Sequence, residues 1–386
     1  MREGFRIIDA DRHVVEPLDL WSTHLEPEFR KYAPRPGVPT EEPLTERIAR
    51  LGAKGLLPVP PMPTLDGRPL WNGMTEQAWL EFSAKAYQRL GRIGRYDDPA
   101  TYLADMDRTG VDISFLYPGY AMLIEGFADL EPAVASACAR VYNTWLKGFC
   151  ARAPERLRGI GMISLHDPSQ MLPELERVAG FGWKAVVVRP NLIGGRALSD
   201  PIYEPFWAAC EQRSIAVTLH NFTESYVPSV GSDRFKTHFG LHACAHPMEQ
   251  MMAILSLIEG GVLERYPRLR FAGLESGCGW LPYWLWRLDE VEYGFVKSEV
   301  AEHVRMKPSA YFRRQYFVAI EADEPLLPEV IRHLGEDNLL FGSDFPHPDH
   351  GLDSVDEILA LKGKLPEQTL RKILWDNPAR LFGLEE

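Results

Sequence analysis

Carboxylates and imidazoles stand at or just beyond the ends of short apolar runs in this 386-residue chain: Asp11 and His13 after FRII, His220 after IAVTL, Glu275 after LRFAGL, and Asp344 with His347 after NLLFGS. Zinc, manganese and iron(II) accept such ligands, and a coordination position left open for water yields a nucleophile near neutral pH. Along an extended chain Asp9, Asp11 and His13 leave on one side, Asp11 and His13 just past the strand end. Taken singly, each signal has a plain reading: D-x-D-x-H is equally a turn with a solvated carboxylate, and a lone His220 is more often a hydrogen-bonded core residue. Gly342 and Ser343 let the backbone approach closely before Asp344, which can bind a cation and accept a proton.

Bringing these residues together requires a scaffold that gathers strand ends. Runs rich in β-branched and aromatic residues predict eight strands, over 5–8, 112–116, 160–165, 185–188, 215–219, 269–274, 316–320 and 338–342. Helical patterns lie between them, with Val134, Cys138, Val141 and Trp145 on one face and Met251, Leu255 and Ile258 on another, the latter stopped at Gly260 and Gly261. Strand–helix alternation implies parallel pairing through right-handed crossovers, and continuous runs such as AVVV suit a sheet buried on both faces. Eight units favour a closed (β/α)8 barrel. An open doubly wound sheet would want a G-x-G-x-x-G turn after an early strand, and none is present. In a barrel the catalytic groups sit at the carboxyl ends of the strands. The first crossover carries an insertion over 21–94, with a proline-rich LLPVPPMPTLDG stretch and Trp71, Trp79, Phe82 and Tyr87, which reads as a cap over the mouth.

With 54 acidic against 42 basic residues the net charge is −12, and no basic tract interrupts it, so nucleic acid is not an expected partner. Five scattered cysteines without a C-x-x-C pair argue against a disulfide framework and a thiolate zinc site, and fit a reducing, cytoplasmic setting. The start MREGFRIIDADRH lacks the apolar core of a signal peptide, and no stretch is long enough to span a membrane.

The segments DADRHVVEP, TLHNF, HPMEQMMAILSLIEGGVLERYPRLRFAGLESGCGWLPYWLWRLD and LLFGSDFPHPD together resemble the amidohydrolase-related branch of the amidohydrolase superfamily, which includes aminocarboxymuconate-semialdehyde and resorcylate decarboxylases. The resemblance implies that Asp11 and His13 on the first strand, His220 on the fifth and Asp344 on the eighth hold a divalent ion, zinc, iron or manganese. An aspartate in place of a first histidine favours a harder ion. One departure stands out. Where the decarboxylases resemble G-H-x-G after the sixth strand, with a histidine as acid or base, this chain has L-E-S-G, placing Glu275 there. An ionised glutamate suits a ligand, or a base for water, better than a donor of protons to carbon. Glu275 is therefore a candidate ligand of a second cation bridged by Asp11, and the expected reaction is hydrolysis of a thioester, amide, ester or lactone of an organic acid. The alternative is non-oxidative decarboxylation of an aromatic or keto acid, which needs another proton donor, His238 or His347.

Asp344, Glu275 and His347 are thus the catalytic candidates. Strand position adds His166, Arg189 and Asn191 as candidate substrate contacts, with Glu321 facing the same mouth, and His238 and His242 in a loop after the fifth strand. Arg189 suits a bidentate grip on a substrate carboxylate, or an ion pair within the barrel. Glu16 reads as a partner to the ligands or a helix-capping acid. His246 reads as the first residue of a helix, with Pro247 in its first turn. The WLPYWLWRLD segment is helical in pattern, packing on the barrel or on a second copy in a homodimer.

Overall fold

Strands such as AVVV and YFVAI are apolar on both faces, and such strands are stable only where helices cover one side and a closed interior fills the other. In the computed structural model, which describes residues 1–35, 62–90, 97–221, 225–347 and 353–384, eight parallel strands do this. They are β1 (Ile8–His13), β2 (Ile113–Tyr117), β3 in two pieces (Leu157–Gly159 and Gly161–Met162), β4 (Ala185–Val188), β5 (Ala216–Leu219), β6 (Phe271–Gly273), β7 (Tyr316–Ile320) and β8 (Leu339–Phe341). Each pairs in parallel with the next, from β1 to β2 to the first piece of β3, and from its second piece through β4, β5, β6 and β7 to β8. Ile160 joins the two pieces of β3 and donates to Leu116 O at 3.2 Å. The ring closes through the residues that follow β8: Asp344 N donates to Asp11 O at 2.9 Å, His13 N donates to Phe345 O at 2.7 Å, and Arg12 bridges to Phe345. The barrel expected from the sequence is therefore present, and its closing seam is made by the same residues that carry the candidate ligands.

The strand boundaries shift in two informative places. The first strand, expected to stop at residue 8, runs on to His13 with every residue buried, so Asp11 and His13 lie inside the strand and not beyond it. The register between β1 and β2 slips by one residue between Asp9 and Arg12. Such a bulge re-aims side chains. It allows Asp9 to accept from Ser343 N (2.9 Å) and Ser343 Oγ (2.6 Å) across the seam, while Arg12 reaches Asp105 at 2.6 Å. Strand β3 starts three residues earlier than expected because Leu157 pairs with Ser114 on β2.

Helices Pro99–Thr109, Pro132–Cys150, Pro168–Ala179, Glu204–Arg213 and His238–Glu259 fill the crossovers as far as β6. Their starts follow from capping: Asp98 accepts from the amides of Ala100 and Thr101, and Asp167 from that of Ser169. His238–Glu259 corrects two expectations. His238 and His242 lie on this helix and not in a loop, and His246 is inside it with Pro247, not at its start. In the WLPYWLWRLD segment Leu281, Leu285 and Leu288 are buried and Trp280 and Trp284 pack on the core, whereas Trp286 is exposed.

Of the insertion over 21–94, segment 36–61, with the first half of the proline-rich stretch, and 91–94 lie outside the described residues, as does the Tyr87 side chain. The described remainder meets the loops at the carboxyl ends of β2 and β5. Asn72 Nδ2 donates to Ser225 O (3.3 Å), Tyr226 Oη to Pro69 O (3.0 Å) and His238 N to Gly73 O (3.2 Å), and Trp71 packs edge-on to Tyr120.

Glu16 proves to be a capping acid. Its buried carboxylate accepts from the amides of Gly119 (3.2 Å), Tyr120 (2.8 Å) and Ala121 (3.3 Å), while burial pushes its pKa up to about 7 against those hydrogen bonds. Replacing Glu16 with alanine strands these amides, and the expected loss of about 1–3 kcal/mol in unfolding free energy is measurable by urea titration; an unchanged midpoint would show the cap to be dispensable.

Candidate metal centre

Four elements deliver donor atoms to one point. Asp11 and His13 come from β1, His220 follows β5, and Asp344 follows β8. All four are buried, at 1%, 0%, 0% and 3% exposure. His13 Nε2 lies 3.0 Å from His220 Nε2 and 3.0 Å from Asp344 Oδ1, and Asp11 Oδ1 is 3.6 Å from His13 Nε2 and 3.5 Å from His220 Nε2. One ligand atom from each lies within 4.8 Å of all the others.

The tautomers of the two rings are fixed by the backbone. His13 Nδ1 faces Pro118 O at 2.8 Å and His220 Nδ1 faces Asn221 O at 2.8 Å. A carbonyl only accepts, so both Nδ1 atoms carry hydrogen and both Nε2 atoms present lone pairs to each other. Burial lowers the pKa of His13, and it brings that of His220 down to about 4, which removes the proton that would relieve the opposition. Burial also pushes Asp11 up to about 7, with Asp344 and Glu321 adding to the rise, and Asp11 Oδ1 accepts no hydrogen bond among the described residues. Lone pairs and carboxylate oxygens aimed at one another in a dry interior match a divalent cation, whose charge offsets the burial of the carboxylates. These residues form a cluster able to hold such an ion.

Glu275 joins them from the end of β6, with Oε2 3.5 Å from His220 Nε2 and Oε1 3.6 Å from His246 Nε2. His347 stacks on His13 with ring centroids 4.3 Å apart, and its Nδ1 lies 2.9 Å from Asp344 Oδ2. A second grouping of donors, His13, Glu275, Asp344 and His347, overlaps the first. Glu275 (φ 46°) and Asp344 (φ 50°) both occupy the left-handed backbone region. For residues other than glycine this costs about 1–3 kcal/mol each, and such strain persists where surrounding contacts impose it. Gly342 is required here, since a Cβ on it would lie 2.7 Å from Asp11 Cβ.

The other sequence-derived candidates lie further back. Arg189 is buried, donates to Met122 O (2.8 Å) and Asn221 Oδ1 (3.1 Å), and has its pKa lowered to about 10 by burial. Asn191 Nδ2 donates to Ser229 Oγ at 3.1 Å. His166 has both ring nitrogens engaged, Nδ1 with Glu125 Oε2 and Nε2 with Phe127 O, each at 3.1 Å. His238 is half-buried at the start of its helix, two turns from His246. Asn221, which is not among the sequence-derived candidates, orients His220 through its backbone carbonyl, holds Arg189 and donates to Ala245 O at 3.0 Å. Its signal was adjacency to His220 in TLHNF. Nothing in the sequence marked Pro118 O.

Comparison with known proteins gives the family and the fold. The amidohydrolase family profile matches residues 8–384. The chain belongs to the amidohydrolase family. A solved structure, a dihydroxybenzoic acid decarboxylase from Polaromonas sp. JS666 with bound manganese and the inhibitor 2-nitroresorcinol, superposes with a TM-score of 0.69 at 20% identity over 99% of this chain and 98% of that one, which supports the fold. Among curated relatives, 2-amino-3-carboxymuconate-6-semialdehyde decarboxylase of Dictyostelium discoideum is 26% identical over 291 residues, 75% of this chain and 77% of that protein. Gamma-resorcylate decarboxylase of Polaromonas sp. is 26% identical over 291 residues, 72% of this chain and 85% of that protein. These relatives overturn the expected hydrolase. The expectation rests on Glu275 standing without an imidazole beside it, yet the fold brings His246 Nε2 to 3.6 Å from Glu275 Oε1 from inside a helix, where the sequence reads that histidine as a capping or packing residue.

Two outcomes are expected. Manganese or zinc at a concentration about 100 times Kd raises the unfolding free energy by about 2.7 kcal/mol, seen as a thermal shift, and His220→Ala abolishes the shift; an equal shift in the variant would remove His220 from the ligand set. For His166, burial pushes the imidazole down, but the Glu125 carboxylate and Phe127 O prevail and the net shift is upward. A raised folded pKa gives stability that is fully present below the ordinary histidine range and lost as pH rises through the folded value. Glu125→Gln should therefore destabilise more at pH 5.5 than at pH 9, and equal losses at both would refute the pairing.

Proposed function

We propose that this chain is a metal-dependent, non-oxidative decarboxylase of an aromatic or conjugated carboxylic acid, with manganese as the ion its donor set of two carboxylates and two imidazoles suits best and zinc or iron as competitors. The observation that carries the reading is the buried meeting of Asp11, His13, His220 and Asp344, in a chain similar over 72–75% of its length to two decarboxylases. When bound, the ion supplies positive charge to hold substrate oxygens and stabilise negative charge on them.

The protein groups supply the proton balance. Loss of CO2 breaks a carbon–carbon bond, and the vacated carbon takes up one proton. Glu275 is placed to carry that proton on Oε1, with His246 Nε2 3.6 Å behind it to restore it. Asp344 Oδ2 and His347 Nδ1, 2.9 Å apart, form a second pair, suited to holding a substrate hydroxyl in its ionised form. Arg189, held by Asn221, fixes the wall behind His220 and Asn191 the loop beyond it, while His166 locks the β3 end to Glu125. The described part of the insertion, resting through Pro69–Gly73 on the loops after β2 and β5, acts as a cap that excludes water.

The test is to incubate the manganese-loaded protein with a panel of hydroxybenzoates and conjugated dienoic acids in D2O. One CO2 per product and one deuterium at the vacated carbon are expected, and His246→Ala should lower kcat by about 10²-fold or more with KM little changed. Absence of CO2 from the whole panel, with the metal bound, would refute the assignment.

A further inference from the structure

The four donors of the centre are at most 3% exposed, so an incoming ion must exchange its water shell for protein ligands before it arrives. One face of the helix His238–Glu259 provides them. His238, His242 and His246 recur every fourth residue, which stacks them on successive turns. Their ring centroids are 5.0 Å apart from His238 to His242 and 5.2 Å from His242 to His246. The file continues from His246 Nε2 to Glu275 Oε1 at 3.6 Å and from Glu275 Oε2 to His220 Nε2 at 3.5 Å. Exposure falls along it, with His238 and His242 half-buried and His246 buried.

We propose that His238, His242 and His246 form a loading path that captures a divalent transition metal at the barrel mouth and passes it through Glu275 to the centre. The inference rests on the metal centre proposed above. Two imidazoles one helical turn apart chelate zinc-like ions. Metal–ligand bonds of about 2.0–2.2 Å let two donors up to about 4 Å apart share one ion, so an ion can be handed from His246 to Glu275 to His220 without an intervening bare state. The path is held in register with its target. Asn221 fixes the His220 tautomer and also donates to Ala245 O, beside His246, at 3.0 Å. At the outer end Thr237 caps the helix and His238 N donates to Gly73 O at 3.2 Å, which fixes the entrance against the insertion. A purely structural histidine stack would give the same ring spacing but no kinetic effect on metal entry.

Apoprotein prepared by chelation is mixed with cobalt(II), and uptake is followed by visible absorption. His242→Gln should slow uptake by about tenfold or more while the centre fills to the same stoichiometry; His238→Gln should act in the same direction, and the exposed Phe239→Ala should match the unaltered protein. The unaltered protein with its centre filled should also hold a second, weaker equivalent of cobalt that the His238→Gln/His242→Gln double variant loses. Uptake by His242→Gln at the original rate, or a second equivalent that survives in the double variant, overturns the path and leaves the centre standing. Should His242→Gln not fold, His238→Gln at the helix start decides the question alone. Failure of every form, the unaltered protein included, to bind cobalt would instead overturn the centre itself.

Discussion

Two imidazole lone pairs held face to face in a dry interior set the terms for everything around them. The carbonyls of Pro118 and Asn221 commit the Nδ1 hydrogens of His13 and His220, so neither ring can turn a proton toward the other. Opposed lone pairs and buried carboxylates are costly when no charge of the other sign balances them. The barrel holds them there because each sits on, or directly after, a buried strand. The contacts that oppose local relaxation are the seam hydrogen bonds of Asp9 and Asp11 with the 343–345 segment. Stability lost at the centre is offset by the strands, and an ion recovers it.

Glu275 and Asp344 extend the same logic to the backbone. Each follows a short strand and turns through a left-handed conformation that an L-residue adopts only under constraint. The turn takes the side chain off the strand direction and into the cluster of donors. Ser343, bonded to Asp9, and Gly342, packed against Asp11, supply the constraint for Asp344. The arrangement is a site assembled by strain and supported by packing from below.

Much of this was legible in the sequence because strand ends are written in a simple code. An apolar run followed by one acid or imidazole gave Asp11, His13, His220, Glu275 and Asp344, and the alternation with helical patterns gave the barrel. What stayed hidden depends on geometry that a linear pattern lacks. The bulge in β1 could not be read from D-A-D-R-H, because it arises from pairing with β2. Pro247 suggested a helix start, yet the helix runs through it, and so His246 was set aside. That single misplacement carried the larger error, since without an imidazole beside Glu275 the residues argued for hydrolysis. The tautomer-setting carbonyl of Pro118 leaves no sequence mark.

The joint between β8 and β1 has a further consequence. In most cylinders of this kind the closing pair of strands and the chemistry can vary separately, because the loops carry one and the walls the other. Here the stretch from Ser343 to Phe345 is both hoop and tool. A change that retunes Asp344 also loosens the hoop, so diversification among descendants of this chain is steered away from the eighth strand and toward the parts that only lean on the rim.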